Sequence, residues 1–300
     1  MVLEWFFLIL LSAIAFSILD LLEKHLISDR IRNPLTLAIF LAMFYPINLL
    51  IIPIFFRIDF APLLSLVSFA IGATMGMAYI LFLKSIRLEE VSRVVTLHYA
   101  YPLFIIPMAF VFLNENLTST SYIGIVLLVA STFMISYKKN WKGMFYSPVL
   151  LLMMGLNIAI AIQNILAKYL FDFTNFWSFI FWFTAGMITI RMLLLIIPRV
   201  RHDFMTIKFH SKLIVYGIAI ALLFLAANIF YYGAVSLQLV SLVSALSAIQ
   251  PMFILVIVLA ISYVKPRFVY EELSRKATLT KTIAVILVFL GTYLLTLDNI

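Results

Sequence analysis

The chain has 300 residues, of which 65% are hydrophobic and only 11% charged, with a net charge of +8 and no cysteine. A soluble domain carries about 45–50% apolar and roughly 25% charged residues, so this balance excludes an ordinary water-soluble fold and points to a bilayer. Without cysteine there is no disulfide framework and no thiolate metal site; in so apolar a chain the positive charge reads as basic loops beside an anionic leaflet, with no nucleic-acid partner.

Cutting the chain at its polar clusters leaves ten apolar stretches near the length of about 20 residues that crosses a hydrocarbon core. They are 5–24, 35–56, 63–83, 91–113, 120–137, 147–168, 175–197, 212–235, 240–263 and 280–297. The opening MVLEWFFLILLSAIAF lacks a basic leader region and a small-residue cleavage site, and reads as a retained first helix. Toward its end stand Asp20, Glu23 and Lys24. Asp20 and Lys24, four apart, share a helical face and can pair, which makes them candidates for proton or charge coupling. Glu23 and Lys24 also fit a simpler role at a snorkelling helix end.

The third span carries Gly72 and Gly76, a GxxxG pair that predicts close helix packing, and Tyr79. The fourth contains VVTLHYAYPLFIIP, with His98 four residues before Pro102. Proline cannot donate to the carbonyl four residues back, so Pro102 is expected to kink the span and free the His98 carbonyl. The sixth span brings Asn157, Gln163, Asn164 and Lys168. In the seventh, Arg191 is expected to snorkel toward the basic loop at 199–212, with an anion-binding role as the alternative. The eighth holds NIFYY, giving Asn228, Tyr231 and Tyr232, and the ninth holds Ser244, Ser247, Gln250 and Pro251.

Charge follows sidedness. Loops 1–2, 3–4, 5–6, 7–8 and 9–10 hold 18 of the 21 Lys and Arg residues; the opposite side holds Arg57 and Lys168, and Arg191 lies within a span. The positive-inside rule then puts both termini outside the cytosol. The chain also repeats itself. Residues 78–110 align with 227–259, pairing Pro102 with Pro251; LLEKHLI matches ILAKYLF, pairing Lys24 with Lys168; IGIVLLVASTFM resembles IAVILVFLGTYL. Three blocks in one order predict a duplication, 1–140 and 141–300. Five spans per copy is an odd number, so the copies must lie oppositely in the membrane. The predicted fold is an all-α polytopic membrane protein of ten transmembrane helices in two inverted repeats.

With the stretch VSRVVTLHYAYPLFIIPMAFVFLNENLT ending its fourth span, the chain resembles the EamA-type branch of the drug/metabolite transporter superfamily. That family has a small-residue segment, a proline within the helix and a Gly-Glu-Arg-Leu-Thr-like end; here these stand as Ser92, Pro102 and Asn114-Glu115-Asn116-Leu117-Thr118. The resemblance covers essentially the whole chain and implies a transporter fold. Two departures stand out. The second half has only Glu271 or Glu272 as a loose counterpart of Glu115, and the family's termini are usually cytosolic.

The function expected from these features is secondary transport of a small organic metabolite, an amino acid, amine or similar, by alternating access. Inverted repeats of this kind place the solute near midplane between the copies. The expected wall comprises His98, Tyr101, Ser244, Ser247 and Gln250 beside the kinks at Pro102 and Pro251. Tyr79, Asn228, Tyr232, Asn157 and Gln163 join them from neighbouring spans. A lipid-handling flippase or its accessory subunit is the alternative. An intramembrane enzyme with His98 as base is disfavoured, because HExxH and GxSxG motifs are missing, and no P-loop supports an ATP-driven pump. The expected partners are a small organic solute and membrane lipid, with no cofactor; the oligomeric state is open, a monomer included.

Overall fold

The computed structural model describes residues 2–89, 91–135, 148–264 and 275–297. Glu271, Glu272 and the side chain of Ser92 lie outside the described residues. All regular structure within them is helical. The helices are α1 (Val2–Asp29), α2 (Pro34–Phe44), α3 (Pro46–Phe55), α4 (Pro62–Leu88), α5 (Val91–His98), α6 (Pro102–Leu113) and α7 (Ser119–Ile135). They continue with α8 (Pro148–Leu170), α9 (Phe176–Leu193), α10 (Pro198–Met205), α11 (Ser211–Leu237), α12 (Val240–Ser247), α13 (Gln250–Val264) and α14 (Arg275–Leu297).

Seven helical stretches among the described residues are long and apolar enough to cross a membrane. Three shorter apolar helices, Pro102–Leu113, Ser119–Ser131 and Ile286–Leu295, overlap the remaining expected segments 91–113, 120–137 and 280–297. Large apolar side chains such as Leu50, Ile54, Leu63 and Leu151 stand outward and exposed. In water that surface would be a liability; against lipid it is the expected outer face.

Proline punctuates the bundle. Three long segments are each split in two: between Phe44 and Pro46, between His98 and Pro102, and between Ser247 and Gln250, just before Pro251. The break at Pro46 was not foreseen in the sequence. The expectation of an open backbone oxygen at His98 needs correcting. Its carbonyl accepts the Tyr101 N–H at 3.2 Å, and the Leu97 carbonyl accepts both the Ala100 N–H at 3.3 Å and Asn157 Nδ2 at 2.8 Å. Tight i→i+3 turns thus recapture oxygens that proline left unpaired. Tight turns also form at the second break, where Ala248 and Ile249 donate to the Ala245 and Leu246 carbonyls at 3.1 Å each.

Small residues set the closest helix contacts. A Cβ on Gly72 would lie 1.9 Å from the Phe183 carbonyl oxygen, and one on Gly186 would lie 1.9 Å from that of Phe69. The backbones of α4 and α9 therefore touch, as small residues permit in membranes. In the α7–α14 pair, a Cβ on Gly124 or Gly291 would come within 2.8 Å of the other's carbonyl oxygen. Where α2 meets α11 the arrangement differs: the Phe44 ring fills the space at Gly217, where a Cβ would sit 2.3 Å from its Cε2.

Charged groups clamp helix ends. Lys24 Nζ on α1 donates to the Ile86 and Glu89 carbonyls at the end of α4. Lys168 Nζ on α8 donates to the Val235 and Gln238 carbonyls at the end of α11, at 2.7 and 2.9 Å. Ile86 aligns with Val235 and Glu89 with Gln238 at the same sequence offset, so the two lysines perform matching tasks. A cation at a helix C-terminus also opposes the negative end of the dipole. Glu115, just after the left-handed Asn114 (φ 52°), accepts the Val240 and Ser241 N–H groups at 2.8 and 3.0 Å and so caps α12. The α11–α12 turn is thereby held from one side by Lys168 and from the other by Glu115.

Candidate functional site

A cavity of about 110 Å³ lies where both sets of broken segments meet the unbroken helices. Helical spacing explains who reaches it. On α1, Ser12, Phe16 and Asp20 recur every four residues; on α4 the lining positions are Met75, Tyr79 and Phe82; on α11 they are Phe224, Asn228, Tyr231 and Tyr232. The first break adds His98, Tyr99 and Tyr101, and the second adds Ser247 and Gln250. Gln163 and Asn164 come from α8.

The polar atoms form defined chains. Gln250 Nε2 donates to Asp20 Oδ2 at 2.8 Å, while Gln250 Oε1 accepts the Tyr99 hydroxyl. Tyr231 donates to Asn164 Oδ1 at 2.7 Å, and Gln163 Nε2 donates to the Tyr232 hydroxyl. Tyr79 donates to Glu23 Oε2 at 3.0 Å. Asn228 Nδ2 folds back onto the Phe224 carbonyl at 2.7 Å. The His98 ring lies among Phe82, Tyr99 and Tyr101, with centroids 5.1–5.7 Å away, and its buried Nδ1 has no hydrogen bond among the described residues.

Of the residues singled out in the sequence, His98, Tyr101, Gln250, Ser247, Tyr79, Asn228, Tyr232, Gln163 and Asp20 line this cavity. Ser244, Asn157 and Lys24 do not. Ser244 Oγ turns to the Ser241 carbonyl at 2.9 Å. Asn157 is buried beneath the first break; six positions from Gln163, it points about 120° away around α8. Asp20 is held by Gln250 while Lys24 is occupied by carbonyls, so the expected Asp20–Lys24 pairing gives way to two separate roles.

Arg191 is the largest departure. It does not snorkel: its side chain is fully buried, with Nε donating to the Gly76 carbonyl at 3.2 Å. The guanidinium carbon stands 5.6 Å from the Tyr45 ring centroid and 5.2 Å from that of Tyr79, within cation–π range. Glu23, also fully buried, lies within its electrostatic reach. A cation, an anion and two tyrosines thus form a satellite cluster one turn below Met187 and one turn beyond Asp20. The i, i+4 register of Met187 with Arg191 is the signal that could have placed it there. Among the described residues, no three His, Cys, Asp or Glu side chains group as metal ligands do.

Comparison with known proteins gives two results. Residues 3–137 match the model of the EamA-like transporter family. A solved structure described as "Crystal structure of protein" superposes with a TM-score of 0.67 at 15% identity, covering 99% of this chain and 96% of its own. At that identity the likeness is one of fold. No curated protein matches the sequence.

Proposed function

We propose that the chain is a secondary transporter moving a small amine-bearing organic solute by alternating access, a reading supported by the match of residues 3–137 to the EamA-like transporter family model. The seven long spans and three shorter apolar helices make ten crossings, arranged as inverted copies 1–140 and 141–300. The matched lysine clamps at the ends of α4 and α11 support the duplication. A cavity at the junction of the broken segments is where such repeats hold a solute.

One observation carries the solute class: among the described residues, Asp20 is the only formally charged one lining the cavity. Aromatic rings surround it, and a carboxylate beside aromatic faces recognises an ammonium group. The hydroxyl inventory agrees. Tyr79, Tyr99, Tyr231, Ser12 and Ser247 all spend their protons on protein acceptors, so their oxygens meet the solute as acceptors. Amide groups of Gln163 and Asn164 can serve a polar tail. A volume well below the roughly 300–1,000 Å³ of a drug-sized pocket suits a compact molecule. A proton and an ammonium group compete for one carboxylate, which makes Asp20 the coupling residue.

The test is uptake. Purified full chain in vesicles is expected to accumulate a labelled amine or amino acid chemically unchanged, with His98→Ala and Gln250→Ala each slowing it severalfold. Wild-type rates for both variants at matched expression defeat the cavity assignment. The 18-to-2 distribution of basic residues supports termini outside the cytosol. Because the chain has no cysteine, Asp29→Cys creates a unique thiol. Its labelling by an impermeant maleimide only after cells are opened is the expected result; labelling of intact cells reverses the orientation.

A further inference from the structure

A second hollow, a groove of about 540 Å³, opens between the α1–α2 turn and the segment joining α10 to α11. Three cations line it: Arg30, Arg32 and Lys208, all exposed. Two acids stand against them, and both are turned to partners within the wall. Asp203 Oδ2 accepts Asn33 Nδ2 at 2.8 Å, and Asp29 Oδ2 pairs with His25 Nδ1 at 3.0 Å. The groove thus sets three cations against two carboxylates, each already engaged by a neighbour, and keeps a net positive charge.

Its floor is the start of α2. Asn33 caps that helix by accepting the Leu35 N–H at 3.0 Å, and Pro34 occupies the first helical position. The positive end of an eleven-residue helix consequently faces the groove. Thr36, in the first turn, lines the same space. Its side chain is only 2% exposed, yet its hydroxyl has no hydrogen-bond partner among the described residues. A buried hydroxyl left unpaired costs stability unless a ligand uses it.

We propose that this groove binds the phosphoryl headgroup of an anionic phospholipid. Two guanidinium forks and a lysine supply charge-assisted donors, the Thr36 hydroxyl one further donor, and the α2 terminus a favourable field. The surroundings place the ligand in lipid. Ile197, Met205 and Phe209, close in sequence to the lining residues Asp203 and His210, leave 44%, 75% and 43% of their surfaces exposed. Between them α10 carries Arg199, Arg201 and His202, the pattern of a short helix lying at the headgroup level. The proposal does not depend on the transport reading.

Native mass spectrometry of the detergent-solubilised full chain, offered phosphatidylglycerol and phosphatidylcholine with identical acyl chains, tests it. The wild type is expected to retain phosphatidylglycerol about tenfold better, the scale of one or two basic residues at an anionic surface. Arg32→Gln with Lys208→Gln removes most of that preference, and Thr36→Val, which keeps the shape, lowers it severalfold. Melting curves without lipid establish that the variants fold. Equal retention of the two lipids by the wild type, or an unchanged preference in the folded variants, overturns the proposal. A second arm adds millimolar inorganic phosphate alone. If phosphate stabilises the wild type but not the double variant, and lipid preference is missing, the phosphoryl site stands but its ligand comes from solution, which overturns the lipid assignment.

Discussion

Arg191→Met is expected to lower the stability of the detergent-solubilised protein by about 3–5 kcal/mol, the cost of breaking a buried charge pair from one side. The substitution keeps the side chain's bulk but removes the cation whose field acts on Glu23. That carboxylate is fully buried; one oxygen accepts from Tyr79 and the other has no hydrogen bond among the described residues. Alone in a low-dielectric interior it becomes a strong liability. Adding Glu23→Gln to Arg191→Met is expected to restore more than half of the loss, because the uncompensated charge goes with it. Thermal or SDS-induced unfolding reads both variants. If Arg191→Met unfolds with the wild type, or the second substitution restores nothing, the cation and the acid are not coupled.

Asp20→Asn is expected to slow amine uptake by about 10- to 100-fold, the range corresponding to one hydrogen bond to a charged group. Asparagine preserves the volume and can still accept from Gln250, so the change isolates the charge. A neutral solute of the same size would lose little. Uptake driven by a pH gradient should also vanish, since the variant has no carboxylate to exchange a proton for an ammonium group. Wild-type amine uptake by Asp20→Asn at matched expression overturns the charge argument while leaving transport itself standing.

How far the sequence carried these conclusions differs by feature. The membrane class followed from composition, because apolar length and loop charge act directly on insertion. Helix breaks beside Pro102 and Pro251 were legible because proline chemistry is local, but Pro46 was passed over because the stretch 35–56 reads as one continuous span. Lys24 and Lys168 could be paired by alignment, whereas their acceptors, more than sixty residues away, could not. Glu115 shows the same limit: it stands at the end of an apolar stretch, but its cap target is 125 positions distant. Arg191 failed for a different reason. Near the end of a span, a long basic side chain has two routes to satisfaction, and one-dimensional order does not say whether rings and an acid wait on the inner side. The 198–205 helix was read as loop because its charges obscured an eight-residue amphipathic turn.

The contrast between the two glycine contacts bears on rates. In the two-copy reading, α4 with α9 corresponds to α11 with α2. The first seam is latched by main chain on main chain at Gly72 and Gly186, so releasing it requires whole helices to slide. The second is held by the Phe44 ring against Gly217, and a ring can swing aside on a far shorter timescale than a helix can translate. In the alternating-access reading the seam beside Phe44 opens more often than the other; with solute equally abundant on both sides the two fluxes still balance, so the inequality appears only as unequal half-saturation concentrations on the two faces.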